Sequence, residues 1–135
     1  MIQSHIGHIQ FNIDMQNAGF YKEWLTFLGW SVLYEDSEML GLGDSQNASL
    51  WFAALTKTVT NDYDGPGMNH LGLAVPAQAD VDAVVNFLRE HNIPALFETP
   101  RHRPEFSLPG QTYYQVMFES PDHILFEVVY TGLLV

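Results

Sequence analysis

The chain has 135 residues, of which 47% are apolar, and its 16 acidic and 5 basic side chains give a formal charge of −11 at pH 7. This charge repels nucleic-acid phosphates and anionic membrane surfaces, and the absence of cysteine excludes disulfides, thiolate metal sites and cysteine nucleophiles. Without a signal peptide or a stretch of ~20 apolar residues that could span a membrane, a cytoplasmic protein of one domain is expected.

The first predicted strand carries a motif that occurs twice in the chain. Residues 7–13 read GHIQFNI, and residues 69–75 read NHLGLAV. In both copies bulky apolar side chains alternate with small or polar ones, so His8 and His70 lie on the face opposite to the apolar residues. The repeat indicates two duplicated modules, each with a histidine at the start of its first strand.

The first module, about residues 4–56, continues with a helix and three strands. Apolar residues at helical spacing predict a helix over 18–28, which Gly29 ends. Alternating runs separated by turn residues predict strands over 30–35, 38–42 and 48–55. A polar linker, about residues 57–67, follows.

The second module, about residues 68–131, repeats the order βαβββ. A helix is predicted over 79–91, with Asn92 as its left-handed cap. Strands are predicted over 93–98, 112–119 and 124–130. The segment between residues 99 and 111 has no counterpart in the first module, and it is either a lid or a solvated loop.

A carboxylate interrupts the apolar run of the last strand. When residues 48–55 are laid without gaps on 123–130, Glu127 falls where the first module has Phe52. An unpaired buried charge is costly, so a cation is the expected partner. Two imidazoles and one carboxylate, His8, His70 and Glu127, form a ligand set for Fe, Mn, Ni or Zn that leaves positions open for substrate. The alternatives are a metal-free pocket and His5 as a competing ligand.

The βαβββ repeat, the two histidine-headed strands and the pattern FESPDHILFE over residues 118–127 resemble the glyoxalase, bleomycin-resistance and extradiol-dioxygenase group, the vicinal oxygen chelate superfamily. The resemblance covers essentially the whole chain. It implies an α+β fold in which the two modules form an eight-stranded mixed open barrel with flanking helices around a divalent metal ion. It also implies metal ligands at His8, His70 and Glu127, a small-molecule substrate and pairing into a homodimer.

The resemblance also bears on the reaction. Phe52, in place of a second carboxylate, disfavours glyoxalase I chemistry. Extradiol dioxygenases keep the three-ligand pattern, but Met117 stands near their expected tyrosine, which leaves Tyr113, Tyr114 and His102 as the candidates for moving protons. The expected function is a metal-dependent dioxygenase, lyase or isomerase acting on a small oxygen-chelating organic substrate. The alternative is a metal-free protein that sequesters an aromatic compound, as bleomycin-resistance relatives do.

Substrate contacts are expected from the first module's strands and from the segment that resembles a lid. Arg101 and Arg103 have the chemistry to pair with a substrate carboxylate or phosphate. His123 stands in a turn where most relatives have glycine, and a plain turn residue is the alternative interpretation. The full set of expected contacts is Gln10, Asn12, Phe52, Arg101, Arg103, Glu105, Tyr114 and His123.

Overall fold

The computed structural model describes residues 1–134. The chain divides into two compact units, Met1–Thr60 and Asn61–Val135. Each unit contains one four-stranded sheet and one α-helix. The predicted α+β class and the repeated order βαβββ are therefore confirmed. No helix within residues 1–134 has both the length and the apolar character needed to cross a membrane.

The first unit consists of β1 (His8–Ile13), α1 (Ala18–Phe27), β2 (Ser31–Glu35), β3 (Met39–Gly43) and β4 (Ser49–Ala54). The sheet has the order β1-β4-β3-β2, with β1 parallel to β4 and the other pairs antiparallel. Tyr21 and Trp24 of α1 are fully buried, and the Tyr21 ring stacks on Phe52 at 4.3 Å between centroids. One face of this sheet is therefore the core that α1 covers.

The second unit consists of β5 (Leu71–Ala74), α2 (Gln78–Glu90), β6 (Leu96–His102), β7 (Gln111–Glu119) and β8 (Leu125–Leu133), in the order β5-β8-β7-β6. Helix α2 packs on β7 and β8. Its buried side chains include Val81 and Val84. As predicted, Asn92 adopts a left-handed conformation just past the helix end, with φ of 57°.

The segment between β6 and β7 differs from the prediction. Strand β6 runs to His102, with Arg101 and His102 paired to β7, so residues 99–102 belong to the strand and not to a loop. The register advances five residues along β6, from Leu96 to Arg101, against two residues of β7. Such a bulge lengthens one strand without extending its pairing, and apolar periodicity cannot reveal it. The remaining connection contains one 3-10 turn, Pro104–Phe106.

The turns before β4 and β8 show how the two repeats correspond. Asp44 Oδ1 accepts hydrogen bonds from the amides of Gln46 and Ala48. Ser120 Oγ accepts the equivalent bonds from Asp122 and Ile124, two and four residues further on. Asn47 and His123 are each left-handed at the same point of the turn, with φ of 65° and 58°. Residues 44–48 therefore correspond to residues 120–124.

This correspondence corrects the sequence alignment by one residue. Trp51, not Phe52, occupies the position of Glu127. The strand pairs agree, because Gln10 lies opposite Trp51 and Gly72 lies opposite Glu127. Since a one-residue shift in a strand moves a side chain to the other face, Phe52 lies on the α1 side, where its exposed fraction is 0%. Phe52 is a core residue here, not the wall residue that the alignment predicted.

Candidate functional site

The sheet of the second unit carries a cavity of about 610 Å³. Strand alternation decides which side chains reach it. Tyr113, Gln115 and Met117 of β7 line the cavity, whereas Val116 and Phe118 between and beyond them are fully buried. Further walls come from other segments: Tyr63, Asp64, Asn69, His70, Phe97, Arg103, Phe106, Leu125 and Glu127. A volume of this size suits a small organic molecule.

Glu127 is the buried acid of this cavity, with an exposed fraction of 5%. Its Oε1 accepts a hydrogen bond from the Tyr113 hydroxyl at 2.9 Å, and its Oε2 accepts one from the Gln115 amide. Gly72 on the neighbouring strand leaves the necessary room, because a Cβ there would lie 2.9 Å from Oε1. Two neutral donors thus stabilise the buried carboxylate.

Arg103 extends this hydrogen-bond network to the mouth of the cavity. Its Nε donates to Gln115 Oε1 at 2.8 Å, and its Nη1 lies 3.4 Å from Glu105 Oε1. The carbonyl end of the Gln115 amide therefore faces Arg103, while its NH₂ faces Glu127. This arrangement fixes the orientation of the amide and presents a guanidinium group to a ligand.

Tyr113 is a hydrogen-bond donor in the cavity. Burial, followed by the hydrogen bond and charge of Glu127, raises its pKa to about 12, while the Arg103 charge acts in the opposite direction. The hydroxyl therefore keeps its proton at neutral pH. The ring of Phe106 packs against Tyr113 edge-on at 5.4 Å, which helps to hold it in place.

The imidazole of His70 has a defined hydrogen-bond partner. Asn69 Nδ2 donates to the carbonyl of Tyr63 at 3.0 Å, which turns Asn69 Oδ1 toward His70 Nδ1 at 2.7 Å. An amide oxygen only accepts hydrogen bonds, so Nδ1 carries the hydrogen, and in the neutral imidazole Nε2 keeps its lone pair. Metal-binding histidines commonly have this arrangement.

The cavity of the second unit thus contains two of the three predicted metal ligands, His70 and Glu127. The third, His8, is an exposed residue at the start of β1 in the first unit. Within residues 1–134, no group of three or more His, Cys, Asp or Glu side chains is arranged to hold a metal ion. His70 fits a metal ligand by its free Nε2, and Glu127 fits by the acceptor capacity that remains on each oxygen.

The other candidates for proton transfer lie on the α2 side of the sheet. The Tyr114 hydroxyl donates to Asp82 of α2 at 2.7 Å, and burial together with that carboxylate raises its pKa to about 12. His102 pairs with Tyr114 across the strands, and its Nδ1 bonds to Thr112 Oγ1. Of the three candidates, Tyr113 is the one that lines the cavity.

The remaining residues that were expected to contact the substrate lie at several different places in the structure. Arg101 pairs with Glu98 at 3.2 Å, and Glu105 pairs with Arg103. His123 is an exposed turn residue whose Nδ1 lies 2.7 Å from Glu119 Oε1. Gln10 and Asn12 are exposed on β1 of the first unit.

The linker contributes a wall of the cavity that the sequence patterns do not predict. Asn61 Nδ2 donates to the carbonyl of His123 at 2.8 Å, and the Tyr63 hydroxyl lies 3.3 Å from Glu119 Oε2. These bonds hold Tyr63 beside the cavity. The role of Tyr63 as a wall residue becomes visible only through its contact with Glu119, which is distant in sequence. Gln115, by contrast, follows from strand alternation, since it lies two residues after Tyr113.

The chain is similar along nearly its whole length to solved structures of one superfamily. A glyoxalase candidate from Bacillus halodurans is 25% identical, with a TM-score of 0.79 over 95% of this chain and 96% of that chain. A glyoxalase/bleomycin resistance protein from Albidiferax ferrireducens T118 is 16% identical, with a TM-score of 0.73 over 94% and 99%. A lactoylglutathione lyase from Agrobacterium tumefaciens is 17% identical, with a TM-score of 0.65 over 95% and 94%.

No family model matches the sequence, and no curated protein matches it. Because structure diverges more slowly than sequence, the likeness is detected in the fold. The resemblance inferred from the sequence is confirmed at that level. The chain therefore has the fold of solved structures that are named as glyoxalases, bleomycin-resistance proteins and dioxygenases, which is consistent with the vicinal oxygen chelate superfamily.

Proposed function

We propose that the chain is a metal-dependent enzyme that acts on a small oxygen-chelating organic molecule in the cavity of the second unit. One observation carries the proposal: a buried carboxylate, Glu127, and an imidazole with a free Nε2, His70, line the same cavity. His8 is the third ligand that the family resemblance implies. The reaction class is a dioxygenase, lyase or isomerase, and the metal is Fe, Mn, Ni or Zn.

The roles of the residues follow from their contacts. A divalent ion in such a site supplies Lewis-acid polarisation of substrate oxygens. Arg103 lines the cavity, and its guanidinium has the charge and the donors to bind an anionic group of the substrate. Tyr113 holds a proton at its hydroxyl oxygen and can donate it to a developing negative charge. Phe97 and Phe106 supply apolar walls that displace water from the ligand.

A specific observation favours a second candidate, a metal-free protein that sequesters an aromatic compound. Both oxygens of Glu127 accept hydrogen bonds from neutral donors, Tyr113 and Gln115, so the carboxylate is partly compensated without a cation. Four aromatic side chains line the same cavity: Tyr63, Phe97, Phe106 and Tyr113.

Metal binding separates the two candidates. Chelator-treated protein is titrated anaerobically with Mn(II), Fe(II), Ni(II) or Zn(II), and thermal unfolding is followed. A ligand present at 100 times its Kd stabilises the folded state by about 2.7 kcal/mol, which is a clear rise in Tm. We expect that rise in the parent protein and in His123→Ala, a matched control that removes a histidine of the second unit outside the cavity. We expect its loss in His70→Ala and Glu127→Gln.

The opposite results are equally informative. If no metal raises the Tm, or if His70→Ala binds metal as the parent does, the enzyme proposal is wrong. Stabilisation of the metal-free protein by planar aromatic compounds, unchanged in His70→Ala, would then support sequestration. If metal binds, oxygen uptake with catechols distinguishes dioxygenase chemistry from lyase or isomerase chemistry.

A further inference from the structure

The first unit has a cavity of its own, of about 530 Å³. It lies on the sheet face that corresponds to the cavity face of the second unit, because Trp51 occupies the position of Glu127. The aromatic side chains Tyr34 and Trp51, the acidic side chains Asp36 and Glu38, and Met39 line it together with Ala53 and Ala54. The duplicated fold thus presents a second cavity with different chemistry.

Strand pairing explains how the aromatic side chains are held. Tyr34 lies opposite Gly41, and Gly41 lies opposite Trp51, so the three residues form one row across the sheet. A Cβ at Gly41 would clash with the Trp51 ring, which means that the indole lies over this glycine. Its Nε1 donates to Ser49 Oγ at 2.9 Å. The Tyr34 and Trp51 rings are 6.4 Å apart and tilted by 38°.

The charge of this cavity is entirely negative. Asp36 accepts hydrogen bonds from the Tyr34 hydroxyl at 2.6 Å and from the Glu38 amide at 2.8 Å. These bonds, the tyrosine bond first, lower the pKa of Asp36, so it is ionised at neutral pH. Among residues 1–134, no lysine or arginine forms an ion pair with Asp36 or Glu38. The nearby Lys22 pairs instead with Glu35, at 2.9 Å.

Aromatic faces next to unpaired carboxylates are suited to one class of ligand. The face of an indole or phenol ring attracts a cation, and the attraction adds to the Coulombic pull of nearby carboxylates. The methyl groups of an alkylammonium ion also pack well on Trp51, Met39 and Ala53. A neutral aromatic ligand would use the rings but not the charges, and an anion would be repelled.

We propose that the cavity of the first unit binds a small organic cation of the alkylammonium class between Trp51, Tyr34 and Glu38. The lining of this cavity shares no residue with that of the cavity in the second unit, and the proposal does not depend on the proposed function. The two repeats would then have diverged into two different binding sites.

The test compares choline with its uncharged isostere, 3,3-dimethylbutan-1-ol, by NMR titration of the full chain, with the Trp51 indole N–H and the Gly41 amide as reporters. We expect saturable shifts with choline and binding of the isostere at least about fivefold weaker, since the cation–π attraction is worth roughly 1 kcal/mol or more. Glu38→Gln should weaken choline binding about three- to tenfold. Its matched control, Glu35→Gln, removes a charge that pairs with Lys22 and should change binding less than about twofold.

Trp51→Leu should abolish choline binding, and Trp51→Phe should retain part of it. If Trp51→Leu does not fold, the comparison of choline with its isostere on the parent protein still shows whether the cavity prefers a cation. Equal binding of the two probes, an equal effect of Glu35→Gln and Glu38→Gln, or choline-induced shifts at Tyr113 and His70 instead of Trp51 would each overturn the proposal.

Discussion

At the scale of single residues, Gln115 shows how a polar network can stabilise a buried acid. Its amide donates to Glu127 and accepts from Arg103, so it relays the field of an arginine to a carboxylate that the arginine does not contact in the described structure. Gln115 is itself 3% exposed. Both of its hydrogen bonds are made in a region with little water, where an unmade bond is costly.

Replacement of Gln115 by methionine keeps the shape of the side chain and removes both hydrogen bonds. We expect Gln115→Met to lower the free energy of unfolding by about 1.5–3 kcal/mol, because Glu127 and Arg103 each lose a buried partner. Urea denaturation measures this loss. The control is Gln111→Met on the same strand, an exposed residue whose replacement should cost less than about 0.5 kcal/mol. Equal losses in the two variants would contradict a role for the network.

The raised pKa of Tyr114 predicts how the stability of the folded protein depends on pH in the alkaline range. Its pKa is raised to about 12 in the folded protein, from an ordinary value of 10.0, so the folded state favours the protonated hydroxyl. The resulting stabilisation is complete below pH 10 and is lost as the pH rises through 12. We expect the urea midpoint to fall over this range, and to fall less steeply in Tyr114→Phe and Asp82→Asn. An unchanged slope in both variants would contradict the assignment to this pair.

At the scale of secondary structure, helix ends and turns carry the clearest local signals. Gly29 and Asn92 follow α1 and α2 in left-handed conformations, with φ of 88° and 57°. Asp44 and Ser120 close equivalent turns with equivalent hydrogen bonds, although their side chains differ. Short polar side chains at such positions accept bonds from nearby backbone amides. These features depend on a few consecutive residues, so the sequence can predict them.

The left-handed residue after α2, Asn92, allows a direct test of this local backbone preference. A residue with a Cβ pays about 1–2 kcal/mol in the left-handed region, and glycine does not. We therefore expect Asn92→Ala to be less stable than Asn92→Gly by about 1 kcal/mol in thermal or urea unfolding. Asn86→Ala, on the exposed face of the same helix, is the control and should be neutral or slightly stabilising. If Ala and Gly at position 92 are equivalent, the cap is not under this constraint.

At the scale of the whole molecule, net charge is the dominant electrostatic feature. The 16 acidic and 5 basic side chains repel one another on balance. The ion pair Lys22–Glu35 is largely exposed, so it offsets little of this repulsion. Compact states with such a charge are stabilised when salt screens the repulsion.

We expect the Tm to rise by a few degrees when NaCl is raised from 10 to 100 mM, since the Debye length shortens from about 30 to about 10 Å. Thermal unfolding followed by circular dichroism measures the shift at constant pH. A Tm that falls over the same range would mean that attractive pairs outweigh the net repulsion.

The sequence by itself determined the class of fold, the duplication, the helix ends and the place of Glu127 in an apolar strand. These features depend on periodicity and on local backbone preferences. Both can be recognised within a single strand or turn, without knowledge of the segments that pack against it. Three residues that the sequence indicates as candidates, His70, Tyr113 and Arg103, lie in one cavity with Glu127.

The tertiary structure decided the features that depend on pairing between distant segments. Strand register placed Trp51 opposite Gln10 and sent Phe52 into the core, because a shift of one residue exchanges the two faces of a strand. The bulge in β6 turned part of an expected loop into strand. Tyr63 acquired its role from Glu119, 56 residues further along the chain, through a hydrogen bond that sequence patterns do not encode.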